Sequence, residues 1–139
     1  MQMKTLAAVM LVASSGLMTL SSFQKKPPFD LKASITRGRE SYVTYCLSCH
    51  MDQGEGIEGI YPPLAKADYL MADKERAVRQ IIFGAKGEMI VNGKTYNAEM
   101  TGFDLTDQEV SDLVNYIRNS FGNKGGAITP EQVNAIRKK

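Results

Sequence analysis

Two cysteines and one histidine are the residues of this sequence whose types and spacing most strongly predict chemistry. They occur together as Cys46-Leu47-Ser48-Cys49-His50, and the 139 residues contain no other cysteine or histidine. Two thiols separated by two residues on a helical turn can each form a thioether with one vinyl group of haem. The imidazole of the next residue then lies beneath the iron. The motif therefore predicts one haem c, attached covalently at Cys46 and Cys49, with His50 as the proximal iron ligand.

Three other kinds of site also use two cysteines separated by two residues. A thioredoxin-like dithiol begins a helix after a strand, whereas the segment before this motif, Ile35–Tyr45, already has a helical pattern. A structural zinc site needs a fourth ligand, and no further cysteine or histidine exists to supply it. A disulfide across two residues closes too small a loop to stabilise a domain much. We therefore favour haem over all three alternatives.

The second axial ligand is predicted to be a methionine, the common partner of histidine in electron carriers. The candidates outside the N-terminal segment are Met51, Met71, Met89 and Met100. Met51 adjoins His50 and is tethered to the proximal side, and the next two are expected to fill the core. Met100 lies in a non-helical stretch, 96–103, directly before a strongly capped helix, with enough chain after His50 to pass around the haem. We therefore predict Met100 as the ligand.

The first 24 residues have the layout of an export signal. Lys4 precedes an apolar run, Leu6–Leu20, and a short polar exit, Ser21–Gln24, follows it. This layout predicts a signal peptide over residues 1–24, with an uncleaved N-terminal membrane anchor as the alternative. Both interpretations predict a protein that works outside the cytoplasm, in the periplasm or an equivalent exported location.

Charge gives weaker information about partners. The chain has 17 Lys and Arg against 15 Asp and Glu, a formal net charge of +2. Basic residues gather at the two ends, and the body between them is mildly acidic. No stripe of basic residues interleaved with aromatics is present, so we expect no nucleic acid partner.

Periodicity and capping residues predict a mainly helical domain of three to five helices. The helical segments are Ile35 to about Cys46, Asp73–Phe83, Thr106–Phe121 and a short helix after Thr129. Ser34 is the expected N-cap of the first helix, and Asp73 is the expected N-cap of the second, which Gly84 ends. Thr106 with Glu109 forms a capping box for the third. Asn92-Gly93 between β-prone flanks predicts a small hairpin over Met89–Tyr96.

From about Ile35 to Asn123 the chain resembles a class I cytochrome c. The shared features are Gly38 and Tyr42, Cys46 to His50, Gly54 and Gly56, Pro62-Pro63-Leu64, Met100 with Phe103, and Leu113 to Arg118. The resemblance implies an all-α class I fold around a covalent haem, with the hairpin as an insertion. It also implies that Gly38 and Tyr42 pack against Leu113 and Tyr116, and that the Pro62 carbonyl accepts a hydrogen bond from the proximal histidine. The family often has proline after the axial methionine, whereas this chain has Thr101.

The resemblance implies a monohaem carrier of single electrons between extracytoplasmic redox partner proteins, and not an enzyme. The chain is also similar to cytochrome domains of copper nitrite reductases and alcohol dehydrogenases, so a haem-bearing subunit of a larger respiratory or dehydrogenase complex is the alternative. An open-site haem sensor or enzyme would require that Met100 does not bind iron. The expected organisation is a signal or anchor (1–24), a linker (25–33), a cytochrome c domain (34–123) and a C-terminal extension with a short helix (124–139).

Overall fold

The structure, a computed structural model, describes residues 28–139. These residues form six helices and one antiparallel hairpin: α1 Leu31–Tyr45, α2 Leu47–His50, α3 Asp68–Ala72, α4 Lys74–Phe83, β1 Met89–Val91, β2 Lys94–Tyr96, α5 Asp107–Ile117 and α6 Pro130–Arg137. The signal or anchor predicted for 1–24, and part of the predicted linker, lie outside the described residues. Within residues 28–139, none of the helices combines the length and apolar character needed to cross a membrane.

The crossing of α1 over α5 organises the core. Ser34, Gly38 and Tyr42 are the buried residues of α1, and their spacing of four places them on one face. A Cβ atom on Gly38 would lie 2.0 Å from the backbone oxygen of Asp112, so only glycine allows this approach. The Tyr42 ring lies 5.3 Å from the Tyr116 ring, between centroids. The packing of Gly38 and Tyr42 onto the α5 helix, implied by the resemblance, is confirmed.

The first helix begins earlier than the sequence predicts. Its N-cap is Asp30, whose carboxylate accepts a hydrogen bond from the Ala33 N–H at 3.0 Å, so the prediction of Ser34 as the N-cap is wrong. Ser34 instead lies one turn inside the helix and donates its hydroxyl proton to the buried Asp112 carboxylate at 2.5 Å. The Ser34 side chain therefore forms a tertiary hydrogen bond with α5 and does not cap α1.

The α5 helix begins as predicted but ends earlier. Its capping box is confirmed: the Thr106 hydroxyl accepts from the Glu109 N–H, and the Glu109 carboxylate accepts from the Thr106 N–H. The helix ends at Ile117, and the prediction that it continues to Phe121 is wrong. Phe121 has a φ of 57°, outside the helical region, and its ring packs against Tyr42 at 5.3 Å.

The α4 helix and the hairpin match their predictions. The Asp73 carboxylate caps α4 by accepting from two backbone N–H groups, and Gly84 ends the helix. Asn92 and Gly93 have φ values of 51° and 76°, the combination of a two-residue type I′ turn. Asn92 also exchanges two hydrogen bonds with Asp68, at 3.0 and 2.8 Å, which tie the hairpin tip to α3.

The C-terminal extension belongs to the core. Its three large apolar side chains, Ile128, Val133 and Ile136, are at most 3% exposed. The buried Asn115 side chain accepts from the Ile128 N–H and donates to the Ile128 carbonyl, both at 2.9 Å. The α6 helix therefore completes the apolar layer beside α4 and α5.

Asp107, the first residue of α5, holds α6 in place. Its carboxylate accepts hydrogen bonds from Asn134 at 2.6 Å and from Arg137 at 2.8 Å, and these two bonds lower the pKa of Asp107. A lowered carboxyl pKa stabilises the folded state at pH values above the unfolded pKa, near 4, and this contribution disappears as the pH falls through the folded pKa.

We expect Asp107→Asn to lower the free energy of unfolding by about 1 kcal/mol at pH 7, because it removes a carboxylate from a partly buried ion pair and a helix N-terminus. Urea unfolding at pH 7 and at pH 3 measures the effect, and the difference from wild type should shrink at pH 3. Asp104→Asn, at an exposed position, is the control and should leave stability unchanged. An equal loss at both pH values would contradict an electrostatic origin.

Candidate functional site

A single cavity collects the residues that the sequence singled out. It has a volume of about 460 Å³, within the range of roughly 300–1,000 Å³ typical of small-molecule and cofactor sites. Its wall comes from the α1–α2 junction, the loop that follows α2, helices α3 to α5, the hairpin and the segment 98–103. Cys46, Cys49, His50 and Met100 all line it. The four predicted site residues are therefore brought together.

The short α2 helix presents the motif to this cavity. Cys46 lies between α1 and α2, and its carbonyl accepts a hydrogen bond from the His50 N–H at 2.9 Å. Positions 46, 49 and 50 are spaced as i, i+3 and i+4, so one helical face carries all three side chains. Both thiols are free, with Cys46 buried and Cys49 partly exposed.

His50 is oriented by a backbone carbonyl. Its Nδ1–H donates to the Pro62 carbonyl oxygen at 2.9 Å, the acceptor that the resemblance implied. This bond fixes the tautomer and leaves Nε2 as the ring nitrogen able to bind a metal. Burial lowers the pKa of His50, against the opposing effect of the Pro62 hydrogen bond, and so favours the neutral imidazole that metals require.

Two glycines shape the loop that brings Pro62 to His50. The Gly54 carbonyl accepts from the Leu64 N–H at 2.7 Å and the Ala65 N–H at 2.8 Å, which closes the loop. Gly56 has a φ of 67°, and a Cβ there would lie 2.4 Å from the Tyr61 carbonyl oxygen. The conformation therefore requires glycine at this position.

The environment of Cys46 differs from that of a redox-active thiol. Burial, and secondarily the neighbouring Cys49, raise the pKa of Cys46 to about 12. Thiol oxidoreductases instead lower the pKa of the attacking cysteine to obtain a thiolate. The described residues also contain only an antiparallel hairpin and no βαβ unit. Both observations disfavour the thioredoxin-like alternative.

Two of the four candidate methionines reach the cavity. Met89 and Met100 line it, whereas Met51 and Met71 do not. The backbone of Met100 is held by Ala85, because each residue donates its N–H to the carbonyl of the other at 2.9 Å. Met89, the first residue of β1, packs against the apolar core as predicted and also forms part of the cavity wall.

A polar part of the wall was missed from the sequence. Tyr69 of α3 and Gln80 of α4 both line the cavity. Gln80 lies between Ala77 and Ile81, which also line it, so the periodicity of α4 marks this face. The signal was present in the sequence, but a glutamine on an amphipathic helix is usually solvated.

The site fits haem c. Two thiols and an oriented imidazole project from one helical face into a mainly apolar cavity, and a thioether side chain is available from another part of its wall. Cysteine thiols can form the covalent links, and histidine and methionine are the axial ligands of many c-type cytochromes.

Comparison with known proteins identifies the family. A family model for cytochrome c matches residues 35–121. Cytochrome c-552 of Thermus thermophilus is 31% identical, over an alignment that covers 68% of this chain and 89% of that protein. The cytochrome c subunit of the quinone alcohol dehydrogenase of Gluconobacter oxydans is 30% identical, over 72% of this chain but only 22% of that protein. The chain therefore belongs to the cytochrome c family and is a class I c-type cytochrome, with covalently bound haem c as its cofactor.

Proposed function

We propose that this protein carries single electrons between redox partner proteins outside the cytoplasm and is not itself an enzyme. In this proposal Cys46 and Cys49 hold the haem, and His50 and Met100 are the two protein ligands of the iron. The main support is that one cavity wall contains both thiols, the imidazole oriented by Pro62, and the Met100 thioether.

The chain's own residues suit this role. Haem c, when bound, supplies a one-electron change at its iron. The Pro62 carbonyl fixes the His50 ring in advance, so that little reorganisation of the histidine accompanies that change. The apolar wall excludes water and, with a thioether ligand, favours the reduced state. A protein ligand on each side would leave no open position for a substrate, which supports a carrier over an enzyme or a gas sensor.

A second candidate is a haem-bearing subunit of a larger complex. The supporting observation is that two relatives are named as cytochrome c subunits, of a quinone alcohol dehydrogenase and of a gluconate 2-dehydrogenase. This chain spans less than a quarter of each. Haem-stained native electrophoresis of cell fractions distinguishes the two: a free carrier migrates near its own mass of 15.3 kDa or less, and a subunit migrates with its complex.

Bacterial c-type cytochromes typically work outside the cytoplasm, and we propose the same for this protein. The signal predicted for residues 1–24 supports the proposal. Intact mass measurement of the protein from its native cells tests it, since cleavage near residue 24 would shorten the chain by that segment. A mature protein that retains residues 1–24 in a membrane fraction would support the anchor instead.

Met100→Ala tests the proposed ligand set. We expect the variant to keep its covalent haem, because both thiols and His50 remain. We also expect it to lose the near-infrared charge-transfer band of a methionine-ligated ferric haem and to bind added imidazole. Its reduction potential should fall by about 0.2 V, a fraction of the roughly 0.8 V that axial ligands span. Absorption spectroscopy and potentiometric titration measure these changes.

Met89→Ala is the matched control, since Met89 is the other candidate methionine in the cavity wall. It should keep the band and nearly the wild-type potential. Loss of the band in Met89→Ala but not in Met100→Ala would reassign the ligand. A wild-type protein without the band would favour the open-site alternative.

A further inference from the structure

The cavity wall contains no positively charged side chain that could pair with the carboxylates of haem. Haem carries two carboxylate side chains, and buried carboxylates require hydrogen-bond donors or a paired cation. The residues that line the cavity include no lysine and no arginine. The one carboxylate among them, Glu99, is 71% exposed and pairs with Lys86. No lysine or arginine of the wall can therefore pair with the haem carboxylates, and the side-chain donors that the wall offers are neutral polar groups.

Tyr69 and Gln80 are neutral donors of this kind. The Gln80 side-chain amide donates to the Tyr69 hydroxyl oxygen at 3.3 Å, which links α4 to α3. That contact leaves the Tyr69 hydroxyl proton and the second amide proton of Gln80 without an acceptor among the described residues. Both side chains line the cavity, so both donors are available to an anionic group inside it.

Arg76 places a cation against this pair. Its guanidinium carbon lies 3.6 Å from the centroid of the Tyr69 ring, and one of its NH₂ groups donates to the Tyr69 carbonyl. Its Nε is buried without a hydrogen-bond partner, and no carboxylate of the described residues forms an ion pair with it. Arg76 and Gln80 are four residues apart on α4 and so share a face. Among the described aromatic residues, Tyr69 alone has a guanidinium stacked on it.

We propose that Tyr69 and Gln80 bind a haem carboxylate. In this proposal Arg76, which lies behind Tyr69, is a positioning residue: its guanidinium compensates the negative charge of that carboxylate and raises the reduction potential of the haem. The inference rests on the proposed electron-carrier function, since it assigns part of the same cavity. Positive charge near the site favours the electron-rich reduced state. A guanidinium held in a partly buried stack is screened by water less than one on the surface.

The test compares two variants that remove the same charge from the same helix. Arg79 also lies on α4 but does not line the cavity or stack on Tyr69. In holo-protein, Arg76→Met should lower the equilibrium constant for reduction about tenfold, or about 59 mV for one electron. Arg79→Met should lower the reduction potential by less than a third of the shift expected for Arg76→Met. Equal shifts in the two variants would overturn the role of Arg76.

A spectroscopic readout tests the carboxylate contact directly and does not depend on the arginine variants folding. Redox-difference infrared spectra with ¹³C-labelled haem carboxylates isolate their stretching bands from those of Asp and Glu. We expect Tyr69→Phe and Gln80→Leu to shift these bands relative to wild type, because each removes a donor. Unshifted bands in both variants would refute the contact. A wild-type protein without covalent haem or the methionine band would refute the proposed function instead.

Discussion

Gly38→Val should remove most or all of the stability of the fold. The added Cβ would lie 2.0 Å from the backbone oxygen of Asp112 and 2.7 Å from the Cβ of Tyr116. The first of these atoms belongs to the backbone of α5, so no rotamer change can relieve the clash and the two helices must move apart. Overpacking of a core usually costs about 1–3 kcal/mol. A clash with backbone at a helix crossing should cost more than that, and we expect Gly38→Val to lower the free energy of unfolding by about 4 kcal/mol or more.

Separating these helices also disrupts a buried polar cluster beside the glycine. The Asp112 carboxylate accepts hydrogen bonds from Ser34 at 2.5 Å and from Arg37 at 2.7 and 2.8 Å. Asn115 donates to the Ser34 hydroxyl oxygen at 2.9 Å. Asp112, Ser34 and Asn115 are at most 3% exposed, so groups that lose their partners here become costly.

Denaturant unfolding followed by circular dichroism measures this effect. Gly38→Ala should cost less than Gly38→Val but still clash, since the Cβ position is the same. Arg39→Val is the matched control, because it places the same β-branched residue at the next, exposed position of α1. It should lower the free energy of unfolding by at most about 1 kcal/mol. A Gly38→Val protein as stable as Arg39→Val would show that α1 and α5 do not need their close approach.

The features that could be predicted from the sequence are set by neighbouring residues. The cap of α4 at Asp73, the capping box at Thr106 and the turn at Asn92-Gly93 each depend on a few adjacent side chains, and all three are confirmed. The haem motif is equally local, since four of its five residues form the short α2 helix and Cys46 directly precedes it. The resemblance correctly implied the bond between His50 and Pro62.

The features that were missed depend on distant parts of the chain. Ser34 has the composition of a cap, but the Asp112 carboxylate lies within reach only after α1 meets α5. Phe121 continues the apolar period of α5, yet its ring leaves the helix to pack against Tyr42. Met89 and Gln80 resemble ordinary strand and helix residues in the sequence, and only the folded structure shows that both line the same cavity. Periodicity identifies such faces but does not say what they contact.

The C-terminal extension had no expected role beyond a short helix, and it lies beyond the matched range of the family model, 35–121. Its buried residues make it an integral part of the core. Val133 is fully buried where α6 packs against α4 and α5. A charge introduced there would lie within the buried apolar cluster, so the folded protein either bears the desolvation cost of that charge or releases α6.

We expect Val133→Asp to lower the free energy of unfolding by about 3–5 kcal/mol at pH 7, because either response leaves a charge in the core or exposes the apolar surface beneath α6. Ala135→Asp is the matched control: it places the same charge on the same helix at an exposed position and should change stability by about 0.5 kcal/mol or less. Denaturant unfolding gives the difference, and limited trypsin digestion shows whether cleavage near Lys124 and Arg137 becomes faster. Burial raises the pKa of the introduced carboxyl, so the stability deficit of Val133→Asp should narrow as the pH falls through that raised pKa toward the unfolded-state pKa near 4. Equal stability and equal digestion of the two variants would mean that α6 is dispensable to the core.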